Sequence, residues 1–234
     1  MGFISAEARG YPNYRQRIPD GWRVVPTDAW PINTTFGHDE DLDIKAWRFE
    51  TEGEVEVKLS LNYDEFGTLA QTTIIADHHC IDGWSYLGHE WTGVQLNEII
   101  RMTRPRDNAK FLLIECERGL SQCFPMTQDI LFATKRNGTP LPREGGFPLR
   151  VVAPGEYGYK SVKWVKKAKF TRERELGFYD LSSLRWGLEL TPPEENPWNC
   201  DNFARKKLLK SIFSKLLEEE RQRRIEERTR GPAK

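Results

Sequence analysis

The feature that most constrains the fold is a series of short β-type runs with no regular helical partner between them. Thr72 to Ala76 is β-branched and apolar and reads as a buried strand. Phe111-Leu112-Leu113-Ile114, within Lys110 to Glu115, reads the same way, as does Leu149 to Ala153 before Pro154-Gly155. Ala46 to Glu50 alternates apolar and charged residues, and Glu54 to Leu61 sets Val55, Val57, Leu59 and Leu61 on one face. Ser161 to Phe170 places Val162, Trp164, Ala168 and Phe170 against lysines. Between these runs, Asn62–Leu69 suits a short helix and Val94–Met102 has near-helical spacing closed by Arg104-Pro105. Thr127 to Ala133 suits a short helix or a strand equally, and Asn137-Gly138 is a tight turn. Strands interleaved with short helices, without a βαβ rhythm, predict an α+β domain.

Three regions follow. Residues 1–29 are polar and turn-rich and are expected to wrap the surface. Residues 30–190 form the domain. Residues 191–234 begin with the linker Thr191-Pro192-Pro193 and continue as a helix capped by Asp201 or Asn202. Leu208, Leu209, Ile212, Phe213, Leu216 and Leu217 make an apolar stripe on that helix. The stripe docks on the domain or, alternatively, meets a partner or a second copy. The 35 basic and 35 acidic residues cancel, so nothing general points to nucleic acid or a membrane surface, and any basic site must be local. No apolar run is long enough for a membrane span, and the first residues lack a secretory pattern. Four cysteines (Cys80, Cys116, Cys123, Cys200) make no disulfide framework, although Cys116 and Cys123 can be paired on paper. A reducing, cytoplasmic setting is the expectation.

Chemistry concentrates in Asp77-His78-His79-Cys80-Ile81-Asp82-Gly83-Trp84-Ser85. Cys80 is expected just past the end of a strand, where a thiolate can hold a soft metal. A buried cysteine with no chemical role is the alternative. Trp84 and Trp91 are suited to walling a pocket. Arg150 stands in a strand otherwise built of Leu and Val, and a buried guanidinium is costly unless an anion meets it. Lys160, Ser161 and Lys163 follow beside Gly155 and Gly158, where backbone amides can approach a phosphate. An ordinary polar strand face would also account for the lysines. Together these residues describe an anionic ligand near a thiolate. A zinc site from His78 or His79 with Cys80 and His89 is a further reading, although adjacent side chains cannot all converge on one ion. His79 and His89 suit proton movement or a structural role.

Five stretches, in order, resemble the sulfite oxidase-type molybdopterin-binding domain. They are Cys80 in its His-Cys-Ile-Asp-Gly-Trp-Ser context, Trp91-Thr-Gly-Val, Asn137-Gly-Thr-Pro-Leu, Gly146-Phe-Pro-Leu-Arg150 and Tyr157-Gly-Tyr-Lys-Ser-Val-Lys163-Trp. The resemblance runs from about Trp22 to Asp180. It implies a mixed-sheet domain holding molybdenum through a pterin dithiolene and one protein thiolate, which maps onto Cys80. It implies that Arg150, Ser161, Val162 and Lys163 hold the pterin phosphate. Asn33, Thr34 and Thr35 would line the pterin from the N-terminal side, with Cys116 at another pterin-adjacent position. The implied activity is two-electron oxygen-atom transfer on a small oxyanion, S-oxide or N-oxide. A separate electron-transfer protein would serve it, since no haem or iron–sulfur pattern is present. Thr34, Thr134 and Gly145 stand where the family carries an arginine, a tyrosine and a histidine or asparagine. A non-catalytic molybdopterin-binding or interaction module is therefore the alternative.

Overall fold

The computed structural model describes residues 23–26, 42–80, 84–116, 119–156 and 158–178. Residues 1–22, Asn33–Thr35, Ile81–Gly83 and the C-terminal helix expected after residue 191 lie outside the described residues. Two sheets carry the fold. The first runs β1 (Arg23–Val24), β5 (Trp84–Gln95), β8 (Leu131–Arg136), β10 (Arg150–Val152), with β4 (Gln71–Cys80) also on β5 and β9 (Thr139–Pro140) on β8. The second runs β3 (Ser60–Leu61), β2 (Phe49–Gly53), β11 (Val165–Thr171), β6 (Phe111–Cys116), β7 (Ser121–Pro125). Each sheet contains both parallel and antiparallel pairs. The mixed α+β architecture is as expected.

The main core lies between the sheets, where Phe49, Phe170 and Ile114 meet Val94, Phe132 and Val151. Phe49 packs edge-on against both Phe66 and Phe132, at 5.2 and 5.3 Å between ring centroids. The helices are short and do local work. α1 (Tyr63–Gly67) is fixed by a reciprocal cap: Asn62 accepts from the Glu65 amide, and Glu65 accepts from the Asn62 amide. It delivers Phe66 to the core. α2 (Leu96–Thr103) buries Leu96 and Ile99 and ends at Arg104, whose φ of 47° stops the helix.

Several strand expectations need correction. Thr72–Ala76 belongs to β4, but this strand is only half-buried and leaves Ile75 53% exposed. Cys80 is the last residue of β4 rather than a residue beyond it. Glu54–Leu61 is not one strand, because Glu54 to Leu59 follows an irregular path with Val55 bridged to Pro105, and only Ser60–Leu61 pairs. Regular structure in β11 begins at Val165, after Trp164 takes a φ of 57°. The ambiguous Thr127–Ala133 resolves to the strand β8 from Leu131. Sequence reading missed β1, β7 and, above all, the 12-residue β5. Gly83 and Gly93, bracketing most of this segment, gave it the look of turns. Cys123 faces Leu113 across the ladder and Cys116 faces Val165, so the two cysteines are not cross-strand partners.

Gly93 marks where β5 and β8 approach too closely for a side chain. A Cβ there would lie 2.6 Å from the Ala133 Cα. Gly93→Ala is expected to destabilise the domain by about 3 kcal/mol, read from urea denaturation. The opposite change is available on β7. Gln122 is 1% exposed, and neither polar atom of its side chain has a hydrogen-bond partner among the described residues. Gln122→Met keeps the shape and removes two buried unsatisfied groups, so it should add about 1 kcal/mol by the same measurement.

Candidate functional site

The first sheet has a second face, turned away from the main core. Ala76, Trp84, Tyr86, Trp91, Ala133 and Val152 pack there, with Cys80 at the edge. Two irregularities decide which side chains reach this face. On β5, Leu87 and Gly88 stand opposite the single residue Asp77, between the pairs Ala76↔His89 and His78↔Tyr86. Gly88 takes a φ of 65°, and its amide donates to the Asp77 carboxylate at 2.8 Å. The extra residue shifts the alternation, so His89 and Trp91 share a face with Trp84 and Tyr86. On β8, Thr134 is the extra residue between Gly93↔Ala133 and Thr92↔Lys135. It brings Arg136 opposite Trp91 and onto the same face.

The result is a stack of rings ringed by basic groups. His78 lies parallel to Tyr86 at 4.9 Å and near-parallel to Trp84 at 5.8 Å. His89 meets the Tyr86 ring edge-on at 4.1 Å. Arg136 lies 5.6 Å from the Tyr86 ring centre, and Arg150 lies 5.2 Å from that of Trp91. The Arg143–Gly145 turn binds the other side of the cluster through three successive carbonyls. Arg143 O accepts from Trp164 Nε1, Glu144 O from Lys163 Nζ, and Gly145 O from Arg150 Nη1, all within 2.8–2.9 Å. Gly146 follows with a φ of 110°, and a Cβ on it would press on the Arg150 and Lys163 stems at 3.0 and 3.1 Å.

Burial dominates the electrostatics. Arg150 is 3% exposed, and burial lowers its proton affinity, with Arg136 adding to the effect. Burial and then Arg150 push Lys163 down to about 7, while Glu144, Cys80 and Cys116 pull it back up. Burial, followed by Arg150, His79, His89 and Lys163, holds His78 well below the usual imidazole range. A cluster that disfavours its own positive charges is suited to an anion.

The structure brings Cys80, Cys116, Arg150 and Lys163 into one electrostatic neighbourhood. Other expectations change. The Ser161 amide donates to Gly158 O and the Val162 amide to Lys160 O, so neither amide is presented to a phosphate. Val162 is buried in the main core, and Lys160 pairs with Glu156 at 2.9 Å. Ser161 is half-buried. The zinc reading fails. His79 bonds Ser85 at 2.8 Å, in register away from the His78 and Cys80 pairs, and among the described residues no three His, Cys, Asp or Glu side chains assemble a metal site. Sequence reasoning missed Tyr86 and Arg136, because both bulges break the two-residue alternation it relies on. A cavity of about 170 Å³ lies toward the other end of β4, lined by Ile74, Ile75, Gln95 and Leu96 among others, and has no basic side chain in its lining.

Residues 36–179 match the model of the oxidoreductase molybdopterin binding domain. The chain belongs to this family. An uncharacterized oxidoreductase, YuiH, of Bacillus subtilis (strain 168) is 30% identical over 192 residues, covering 80% of this chain and 92% of its own length. The methionine-sulfoxide reductase catalytic subunit MsrP of Xanthomonas campestris pv. campestris is 29% identical, over 67% of this chain and 55% of that subunit. An NADPH nitrate reductase of Fusarium oxysporum is 28% identical, but this chain spans 22% of it. The sulfane dehydrogenase SoxCD of Paracoccus pantotrophus superposes with a TM-score of 0.54 at 19% identity, over 74% of this chain and 56% of that one, which concerns the fold alone. Membership carries a molybdenum–molybdopterin cofactor. The site of this molybdopterin-binding domain fits that group: a half-buried thiol, a cluster of desolvated cations and a glycine cradle beneath two of them.

Lys163 makes a prediction about pH. The folded, ligand-free chain gives up this proton near 7, whereas the ordinary value is 10.5. Between the two the unfolded state binds more protons, so this group makes stability rise with pH. Urea denaturation across that window should show a smaller rise for Lys163→Met than for the unaltered protein.

Proposed function

We propose that this chain is a molybdenum–molybdopterin oxidoreductase that transfers an oxygen atom, with two electrons, to or from a small oxyanion, S-oxide or N-oxide. The carrying observation is the Cys80 thiol at the end of β4 within electrostatic reach of Lys163, with Arg150 buried alongside. In the reducing direction an oxide takes up two electrons and two protons and leaves as the deoxygenated product and water. The bound group supplies the two-electron centre for that exchange. Cys80 would supply the protein thiolate. Arg150 and Lys163 offset the charge of the pterin phosphate. His78, kept neutral among aromatic rings, adds no charge to the metal side. Trp84, Tyr86 and Trp91 exclude water from the wall beneath the cations. Electrons come from or go to a separate protein, since the sequence carries no haem or iron–sulfur pattern of its own. No helix among the described residues is long and apolar enough to cross a membrane.

Metal analysis of protein made in a molybdopterin-producing host tests the assignment. The expected content is about one molybdenum per chain, falling roughly tenfold or more in Cys80→Ser. Stoichiometric zinc, or no metal together with no pterin fluorescence, overturns it. Turnover of S-oxides or N-oxides with a reduced dye separates an enzyme from a carrier that keeps the pocket without catalysis.

A further inference from the structure

An outer strand leaves backbone groups of its sheet unpaired, and proteins limit that exposure by keeping such strands short, charged or interrupted. Most outer strands here are short. β1, β3 and β9 have two residues each, β10 has three, and β7 has five and closes on Pro125. β4 departs from this pattern. It has ten residues and is paired to β5 on one side, and among the described residues no strand pairs with its other side. Gln71 to Ala76 run in unbroken register against Val94 to His89. Every second residue of such a stretch turns its amide and carbonyl away from the strand it is paired to.

The chemistry of this edge is equally distinct. No charged residue occurs from Phe66 to Ala76, although 30% of the chain is charged. Thr72, Thr73, Ile74 and Ile75 are β-branched, no proline interrupts them, and the first bulge comes at Asp77. Gln71, Thr73 and Ile75 are exposed on one face of the strand, and Thr72 and Ile74 are half-buried on the other. That pattern bears on what can pair here. A strand that joins an identical strand brings each of its charges near a like charge, so a charged edge resists self-association and an uncharged one permits it. A different protein would be selected best by complementary charge, and this edge presents none.

We propose that the β4 edge is a dimerisation surface, on which two copies of this chain join antiparallel into one continuous sheet. A two-fold axis perpendicular to the sheet preserves its faces, so it must pass through a residue rather than between two. With the axis at Ile74, the two Ile74 side chains stand opposite each other, Thr73 stands opposite the partner's Ile75, and Gln71 opposite the partner's Asp77. The exposed Ile75 thereby gains a β-branched neighbour, while the two Asp77 residues lie about 20 Å apart. The assignment is independent of the cofactor. A single strand pair is a small interface, so the dimer dissociates on dilution.

Sedimentation velocity of the full chain between about 1 and 100 μM tests this. The unaltered protein is expected to pass from monomer to dimer, with slower amide hydrogen exchange over Gln71–Ala76 at the higher concentration. Ile75→Lys sets two ammonium groups diagonally across the axis and should raise the dissociation constant about tenfold or more, with the circular dichroism of the monomer unchanged. Thr73→Glu should act likewise. Mixing the two variants brings opposite charges face to face and should recover the dimer, which a merely damaged edge would not. A chain that stays monomeric throughout overturns the proposal, as does a dimer unaffected by Ile75→Lys, or a mixture no more associated than its components. So does a dimer whose exchange over Gln71–Ala76 ignores concentration, because its contact lies elsewhere, as on the apolar stripe from Leu208 to Leu217. Should Ile75→Lys not fold, Thr73→Glu and the exchange comparison decide the matter.

Discussion

Everything at the site depends on keeping positive charge inside an apolar wall. Arg150 is nearly sealed from water, and Lys163 sits beside it. Isolated charges in such surroundings cost several kcal/mol each, even after relaxation. The protein answers with backbone dipoles. Three consecutive carbonyls of the Arg143–Gly145 turn accept from Trp164, Lys163 and Arg150. Carbonyl oxygens hold the heads in place without cancelling their charge, so the field remains available to an incoming anion. An aspartate in the same position would have neutralised that field.

The first sheet serves two masters through one strand. β5 gives Val94 to the core between the sheets, and Trp84, Tyr86, His89 and Trp91 to the opposite face. Strict alternation along 12 residues would not put all four rings together. The Gly88 bulge does so by inserting one residue, and the Thr134 bulge does the same for Arg136 on the neighbouring strand. Bulges next to a reactive centre are a common way to re-aim side chains without rebuilding a sheet.

These two irregularities also explain what could and could not be read from the amino-acid order. Continuous apolar runs such as Phe111–Ile114 and paired turn residues such as Asn137-Gly138 are local signals, and they were legible. The anomaly of Arg150 among Leu and Val was legible too, because burial of a guanidinium is conspicuous in any strand. β5 was not, since its glycines imitate turns while its neighbours supply the pairing that overrides them. The positions of His89 and Arg136 depend on register, which is a property of two strands together. The glycines beside Ser161 suggested backbone amides turned toward a phosphate, whereas the Ser161 amide donates within the local turn to Gly158 O.

The crowding of Arg136, Arg150 and Lys163 has a biological corollary. A fold that gathers three cations is held together partly by whatever further offsets their charge, so occupancy and folding are thermodynamically linked. Copies that miss loading would open more often and be cleared by cellular proteases sooner. The steady abundance of this protein would then report on the supply of molybdate and pterin precursors, with the polypeptide serving as its own gauge of nutrient sufficiency.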